Sequence, residues 1–273
     1  MNWFESFIYG LVSGIAEFLP ISTDAHQHIV MNLFGQYQID PLLDFFVHAA
    51  LLIAVFIGGR NIVEQLRRQH QATLHNYTNS TSRGAPELRF LKNTILPFTL
   101  LYFLILYGVK ISVDLSFIAV FSLVNGLIIF LQSRMMQGNK NANHVSVFDS
   151  VLVGAAGALS AFTGISRVAA MLAIFCVRGF DRQKSLNWVL ALSIPALFIH
   201  ILIDFIRMFS GVGVINFPGN VFGCILAGIG AFLAGNVGIM ILKTMSTQKD
   251  ISGFSYYSWG VALFSFILYL SAV

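Results

Sequence analysis

Six stretches of the chain, 42–59, 93–109, 117–133, 186–207, 220–242 and 254–272, run for bilayer length with only Asp44, Asp204 and Arg207 as formal charges among them. A helix needs roughly 20 apolar residues to cross the hydrocarbon core, so each stretch is read as a transmembrane helix. The rest of the 273 residues leaves little room for an appended soluble module, and residues 1–273 are read as a single polytopic domain. Composition agrees: 56% of residues are hydrophobic and 10% charged, against about a quarter charged in soluble domains. With a mean hydropathy of +0.77, an ordinary soluble enzyme is excluded. The expected fold class is therefore an all-α integral membrane protein.

Two further apolar stretches, 7–35 and 149–177, are interrupted at their centres. The first holds Glu17, Pro20, Ser22, Thr23, Asp24 and His26; the second holds Thr163, Gly164, Ser166 and Arg167. Backbone that leaves the helix at membrane depth survives only inside protein or beside a cavity, so both are read as re-entrant helical hairpins. Charge placement tests that topology. If 42–59 runs inward, 13 of the 16 Lys and Arg fall in inner loops: Arg60, Arg67, Arg68, Arg83, Arg89, Lys92, Arg134, Lys140, Arg178, Arg182, Lys184, Lys243 and Lys249. This obeys the positive-inside rule when each hairpin returns to its own side, and it places both termini outside. Lys110 and Arg207 lie near outer ends of spans. The net charge of +4 is read as topology and not as a nucleic-acid surface. The 60–92 segment is expected to be a solvated inner loop near anionic headgroups.

A shift of 144 residues superposes Gly10, Phe18, Ile21, Ser22 and Ala25 on Gly154, Phe162, Ile165, Ser166 and Ala169. It aligns the two interruptions, which the topology enters from opposite faces. An inverted repeat, about 1–133 and 149–273, is the expected arrangement, with a site where the two broken helices meet. Cys176 and Cys224 sit in apolar runs with no metal-ligand spacing, so no disulfide or zinc site is implied. No cleaved leader is expected, because a basic n-region is missing before the first apolar stretch.

Ionisable groups inside a membrane cost about 2.5 to 3.5 kcal/mol each on insertion scales and are functional candidates by default. Glu17, Asp24, His26 and Arg167 are those candidates, with Ser22, Thr23 and Ser166 adding hydroxyls. An arginine fork and the amides of a broken helix suit a phosphate. A simple neutralising Glu17–Arg167 pair would leave the hydroxyl cluster unaccounted for.

These residues carry a resemblance. Residues 14–26, G-I-A-E-F-L-P-I-S-T-D-A-H, are similar to the first signature of the bacitracin-resistance family of undecaprenyl pyrophosphate phosphatases, E-G-x-x-E-F-L-P-[IV]-S-S-T-G-H. Gly164-Ile-Ser166-Arg167 resembles the second, P-G-x-S-R-S-x-x-T. Gly179 to Arg182 and Ser193 to Ala196 keep the family spacing, and Asp44 to His48 resembles its [DE]-x-x-x-[HQ]-x-G-[ST] helix. The resemblance implies six spans and two re-entrant hairpins in the bacterial cytoplasmic (inner) membrane. It implies hydrolysis of the C55 polyprenyl diphosphate to the monophosphate, in a site facing the outer side, with a divalent cation (Mg or Ca). Glu17, His26 and Arg167 would be catalytic. Ser22, Thr23, Ser166, Gly164, Asp24 and His48 would contact substrate, and Glu17 and Asp24 would offer metal ligands. A second copy of the chain is a further candidate partner. The other functional reading is a non-hydrolytic relative that binds or translocates the polyprenyl phosphate.

Six departures from the family's two signatures change the chemistry of their positions: Ser13 for glutamate, Asp24 for threonine, Ala25 for glycine, Thr163 for proline, Val168 for serine and Met171 for threonine. A carboxylate at Asp24 repels a diphosphate unless it is protonated or metal-bound. His48 is read first as a hydrogen-bonding group inside the bundle, His28, His200 and Asp204 as packing or interfacial groups, and Trp3, Tyr256, Tyr257 and Trp259 as interfacial aromatics.

Overall fold

In the computed structural model, the described residues are 1–36, 40–76, 86–108, 114–136, 138–210, 221–245 and 251–272. Of the inner-loop cations, Arg83 and Lys249 lie outside them, as does Lys110. The described residues form eleven α-helices: α1 (Trp3–Glu17), α2 (Thr23–Leu33), α3 (Pro41–Gly58), α4 (Arg60–Asn76), α5 (Pro86–Gly108), α6 (Leu115–Ser133), α7 (Val147–Ala158), α8 (Arg167–Val177), α9 (Arg182–Phe209), α10 (Val221–Thr244) and α11 (Gly253–Ala272). Among the described residues there is no strand.

Helices α3, α5, α6, α9, α10 and α11 are long and apolar enough to span a bilayer. Their outer faces are greasy. Leu96, Leu100 and Leu104, spaced one turn apart on α5, are each more than 60% exposed, and Leu123, Leu127 and Leu131 form a similar stripe on α6. Apolar stripes of this kind have no water-soluble counterpart of comparable extent, whereas lipid solvates them without cost. The chain is a multi-pass membrane protein.

Local chemistry explains where helices start. Asn2 caps α1 in a reciprocal box with Glu5, Asp40 caps α3 ahead of Pro41, and Asp181 caps α9 by accepting from the Lys184 amide at 3.0 Å. That last cap starts α9 four residues ahead of the expected span. The 60–92 segment differs more. Arg60–Asn76 is helical, because Ile62 and Leu66 lie one turn apart and pack on the core while the arginines face outward. Gly59 separates it from α3.

The site is positioned by close packing between α1 and α10. A Cβ at Gly10 would sit 2.0 Å from the Ala227 carbonyl oxygen, and one at Gly14 would sit 2.5 Å from that of Ala231. Small residues every four positions let the two backbones touch, which fixes the end of α1 where Glu17 stands. α7 sits on α5 in the same manner, with Gly154 against the Thr94 carbonyl. Between them α3 packs on α9, and α6 on α11.

Candidate functional site

Each interrupted stretch is a helix, a break and a second helix capped by serine. α1 stops at Glu17, and Pro20 withholds an N–H and disfavours helix at Leu19. Ser22 then caps α2, its Oγ accepting from the Ala25 amide at 3.3 Å. α7 stops at Ala158, followed by a single 3₁₀ turn over Leu159–Ala161. Gly164 takes φ +120°, a conformation closed to side chains, and Ser166 caps α8 by accepting from the Ala169 amide, again at 3.3 Å.

The two breaks are laced to one another. Ser22 Oγ accepts from the Gly164 amide at 3.0 Å, and Ser166 Oγ donates to the Leu19 carbonyl at 3.2 Å. Asn125 of α6 bridges them, donating to the Pro20 carbonyl at 3.1 Å and accepting from the Ser166 amide at 2.9 Å. The N-termini of α2 and α8 therefore lie side by side. The positive ends of two helix dipoles thus adjoin, which favours an anion there.

That place is a small cavity of about 30 Å³, lined by Glu17, Ser22, Thr23, Asp24, Ser166 and Arg167 together with His48, His200, Ser160, Ile21 and Ile165. Across it Arg167 Nη2 donates to Glu17 Oε1 at 2.8 Å and to Ser193 Oγ at 3.1 Å. Thr23 Oγ1 donates to Glu17 Oε2 at 3.0 Å. Arg167 Nε is buried with no acceptor among the described residues. A buried guanidinium donor costs free energy until an acceptor meets it, and Arg167 lines this cavity.

Of the residues singled out in the sequence, two stand elsewhere. His26 does not line the cavity: its Nδ1 lies 2.6 Å from the Ser22 carbonyl and its Nε2 lies 2.7 Å from the Tyr257 hydroxyl, with the two rings stacked. Both nitrogens are occupied, so the ring ties α2 to α11. Gly164 also stays out of the lining and acts through its backbone. Tyr257 is thus a partner for His26 and not only an interfacial aromatic, and Trp259 packs on Gly126.

The six departures sort by place. Ser13, Ala25, Val168 and Met171 are each no more than 1% exposed and pack in the interior. Ser13 bonds the Tyr9 carbonyl and Gln27, and the Met171 side chain fills the space beside Gly157. Thr163 does not line the cavity either. Only Asp24 faces it. His200 and Ser193 were not among the candidates. His200 was legible by the same rule that chose Glu17, an ionisable group within a span, whereas a lone serine in α9 carried no signal.

Among the described residues, no three His, Cys, Asp or Glu side chains gather as a ready-made cation cage. Glu17 and Asp24 do share the cavity. Mg²⁺ commonly takes one or two carboxylates from a protein, so Glu17 and Asp24 fit such an ion.

The geometry defines a polytopic helical membrane protein with an anion-seeking cleft between two broken helices. Residues 6–264 match the family described as bacitracin resistance protein BacA, and the chain belongs to that family. It is 26% identical to undecaprenyl-diphosphatase 3 of Bacillus cereus over the whole of both chains. It is 27% identical to the undecaprenyl-diphosphatase of Thermosipho africanus, covering 96% of this chain and 98% of that one. Against that of Carboxydothermus hydrogenoformans it is 26% identical, covering 95% and 94%.

Proposed function

We propose that the protein hydrolyses a polyprenyl diphosphate of the undecaprenyl class to the monophosphate, releasing inorganic phosphate. The observation that carries this is Arg167: a buried guanidinium that spans the cavity to Glu17, keeps one donor without a partner, and stands at the first position of a helix whose N-terminus adjoins a second. Phosphoryl transfer needs charge neutralisation and in-line positioning, and a buried arginine beside two helix N-termini would serve the first. Arg167 would clamp the terminal phosphoryl group, with the Ser22 hydroxyl and the amides that open α2 and α8 holding its oxygens, while Thr23 and Ser166 brace Glu17 and the Leu19 carbonyl. Glu17, released from Arg167 as the anion enters, would keep its hydrogen bond from Thr23.

Glu17 and Asp24 would hold a divalent cation jointly with the phosphates; bound there, the ion would neutralise charge developing on the transferred group. His26 would position α2. The positive-inside distribution supports two hairpins that dip from opposite faces of the bacterial cytoplasmic membrane, with the cleft toward the outer side. The packing supports the two-fold repeat: exchanging α1, α2, α3, α5 and α6 with α7, α8, α9, α10 and α11 carries the α1–α10 contact onto α7–α5 and the α1–α2 contact onto α7–α8. The named relatives are diphosphatases, which favours hydrolysis over translocation.

The test is phosphate release from undecaprenyl diphosphate in detergent by purified protein, with Mg²⁺ and with chelator. Cation-dependent release is expected. No release from a protein that still binds the lipid defeats the proposal.

A further inference from the structure

The spans contribute a second set of ionisable groups that the resemblance does not use in full. α3 carries Asp44 and His48 four residues apart; α9 carries His200 and Asp204 four residues apart, and the two helices pack on each other. Spacing of this kind puts each pair on one helix face. Asp44 is spent on structure: it accepts from the Tyr9 hydroxyl at 2.5 Å, and neither group lines the cavity. His48 differs. Its Nδ1 lies 2.6 Å from Asp204 Oδ2, its ring lies 4.8 Å from that of His200, and both histidines form part of the cavity wall.

A carboxylate only accepts, so the His48 Nδ1 carries a hydrogen, and in the neutral ring the lone pair is then on Nε2. Among the described residues Nε2 has no hydrogen-bond partner. Asp204 is almost fully buried and does not reach the cavity, so it acts only through the imidazole. A histidine fixed at one nitrogen by a buried carboxylate, braced on its face by a second ring, and open at the other nitrogen toward a site is the arrangement of an oriented general base. His26, with both nitrogens engaged outside the cavity, lacks that freedom.

We infer that His48, held by Asp204, is the base that activates water in the cavity, an inference that rests on the hydrolytic reading above. Water passes a proton to His48 Nε2 as its oxygen bonds the terminal phosphorus. The bond from phosphorus to the bridging oxygen breaks, and its electron pair leaves with the lipid monophosphate. The imidazolium, stabilised by Asp204, then returns the proton to the released phosphate. His48 is the catalytic residue here, Asp204 a positioning residue.

The experiment measures steady-state phosphate release from undecaprenyl diphosphate in detergent with Mg²⁺, alongside thermal melting. Wild-type protein that releases none defeats the hydrolytic reading itself, before any variant is compared. Given an active wild type, His48→Ala is expected to lower kcat by about 10²- to 10⁴-fold with KM little changed, and added imidazole to restore part of the loss. Asp204→Asn is expected to lower kcat at unchanged KM, and to add nothing on top of His48→Ala. His48→Gln, which keeps a donor for Asp204 and much of the volume, should show the same loss without imidazole rescue. Full kcat in His48→Gln or His48→Ala overturns the inference. So does a loss in well-folded His48→Ala that imidazole leaves unrestored, and so does an Asp204→Asn that lowers the melting temperature alone.

Discussion

The two helix breaks share one frame and divide the chemistry between them. In each, a serine caps the second helix at the same distance from the same amide, and the residue after it opens that helix: Thr23 in the first break, Arg167 in the second. Shifted by 144 residues, Glu17 coincides with Ala161, Pro20 with Gly164 and Asp24 with Val168. The first break therefore holds the carboxylates and the second the cation. The frame of capped N-termini is common to the two breaks, and the charge placed on it differs. On the proposed function, that difference in charge would orient a diphosphate with its most anionic end toward Arg167.

The largest effect should come from erasing that difference. Arg167→Ala is expected to cost about 10³-fold or more in phosphate release, the scale on which an arginine serves phosphoryl transfer. It also strands Glu17 in the interior, and removing one partner of a buried pair costs about 3–5 kcal/mol, read as a fall in melting temperature. The charge reversal Glu17→Arg with Arg167→Glu sharpens the comparison. It remakes the ion pair and should recover much of the melting temperature without recovering release. Restored activity would mean that the pair matters only for stability.

Next in size is the pivot of the second break. Gly164 has φ +120°, and a Cβ there would lie 2.6 Å from the Phe121 Cβ. Gly164→Ala combines backbone strain of about 1–3 kcal/mol with that overlap, and should lower both melting temperature and activity. At the shifted position in the first break, a proline makes the interruption by denying an N–H, and glycine is not needed there.

Asp24→Asn should act on a smaller scale and on cation demand. If Asp24 shares the ion with Glu17, the Mg²⁺ concentration for half-maximal release should rise by about tenfold, the range over which even outer-shell partners tune metal affinity. An unchanged Mg²⁺ requirement with tighter substrate binding would show instead that Asp24 only repels the diphosphate.

The spans and the breaks were legible because lipid leaves few options: charge is scarce in an apolar run, so Glu17, Asp24 and Arg167 stand out where they occur. Helix α4 was not, since a polar, arginine-rich segment reads as solvated loop until its Ile62 and Leu66 are seen against the core. Side-chain direction was also hidden. His26 and Thr23 lie in one motif, yet His26 meets Tyr257 while Thr23 meets Glu17. His48 and Asp204 are 156 residues apart, and nothing local to either announces the other.

The smallest expected difference separates the two caps themselves. Ser22→Ala and Ser166→Ala each remove an N-cap, at about 1 kcal/mol. Each also breaks one bond between the breaks, but of opposite polarity. Ser22 Oγ accepts the Gly164 N–H, so its loss leaves a buried donor with no partner; Ser166 Oγ donates to the Leu19 carbonyl, so its loss leaves a buried acceptor. Orphaned N–H groups are tolerated less well than carbonyls. Ser22→Ala should therefore melt lower than Ser166→Ala, by an increment on the order of 1 kcal/mol, the lower end of the cost of a buried unsatisfied group. Equal melting temperatures would mean that the two breaks share the lacing evenly and differ in charge alone.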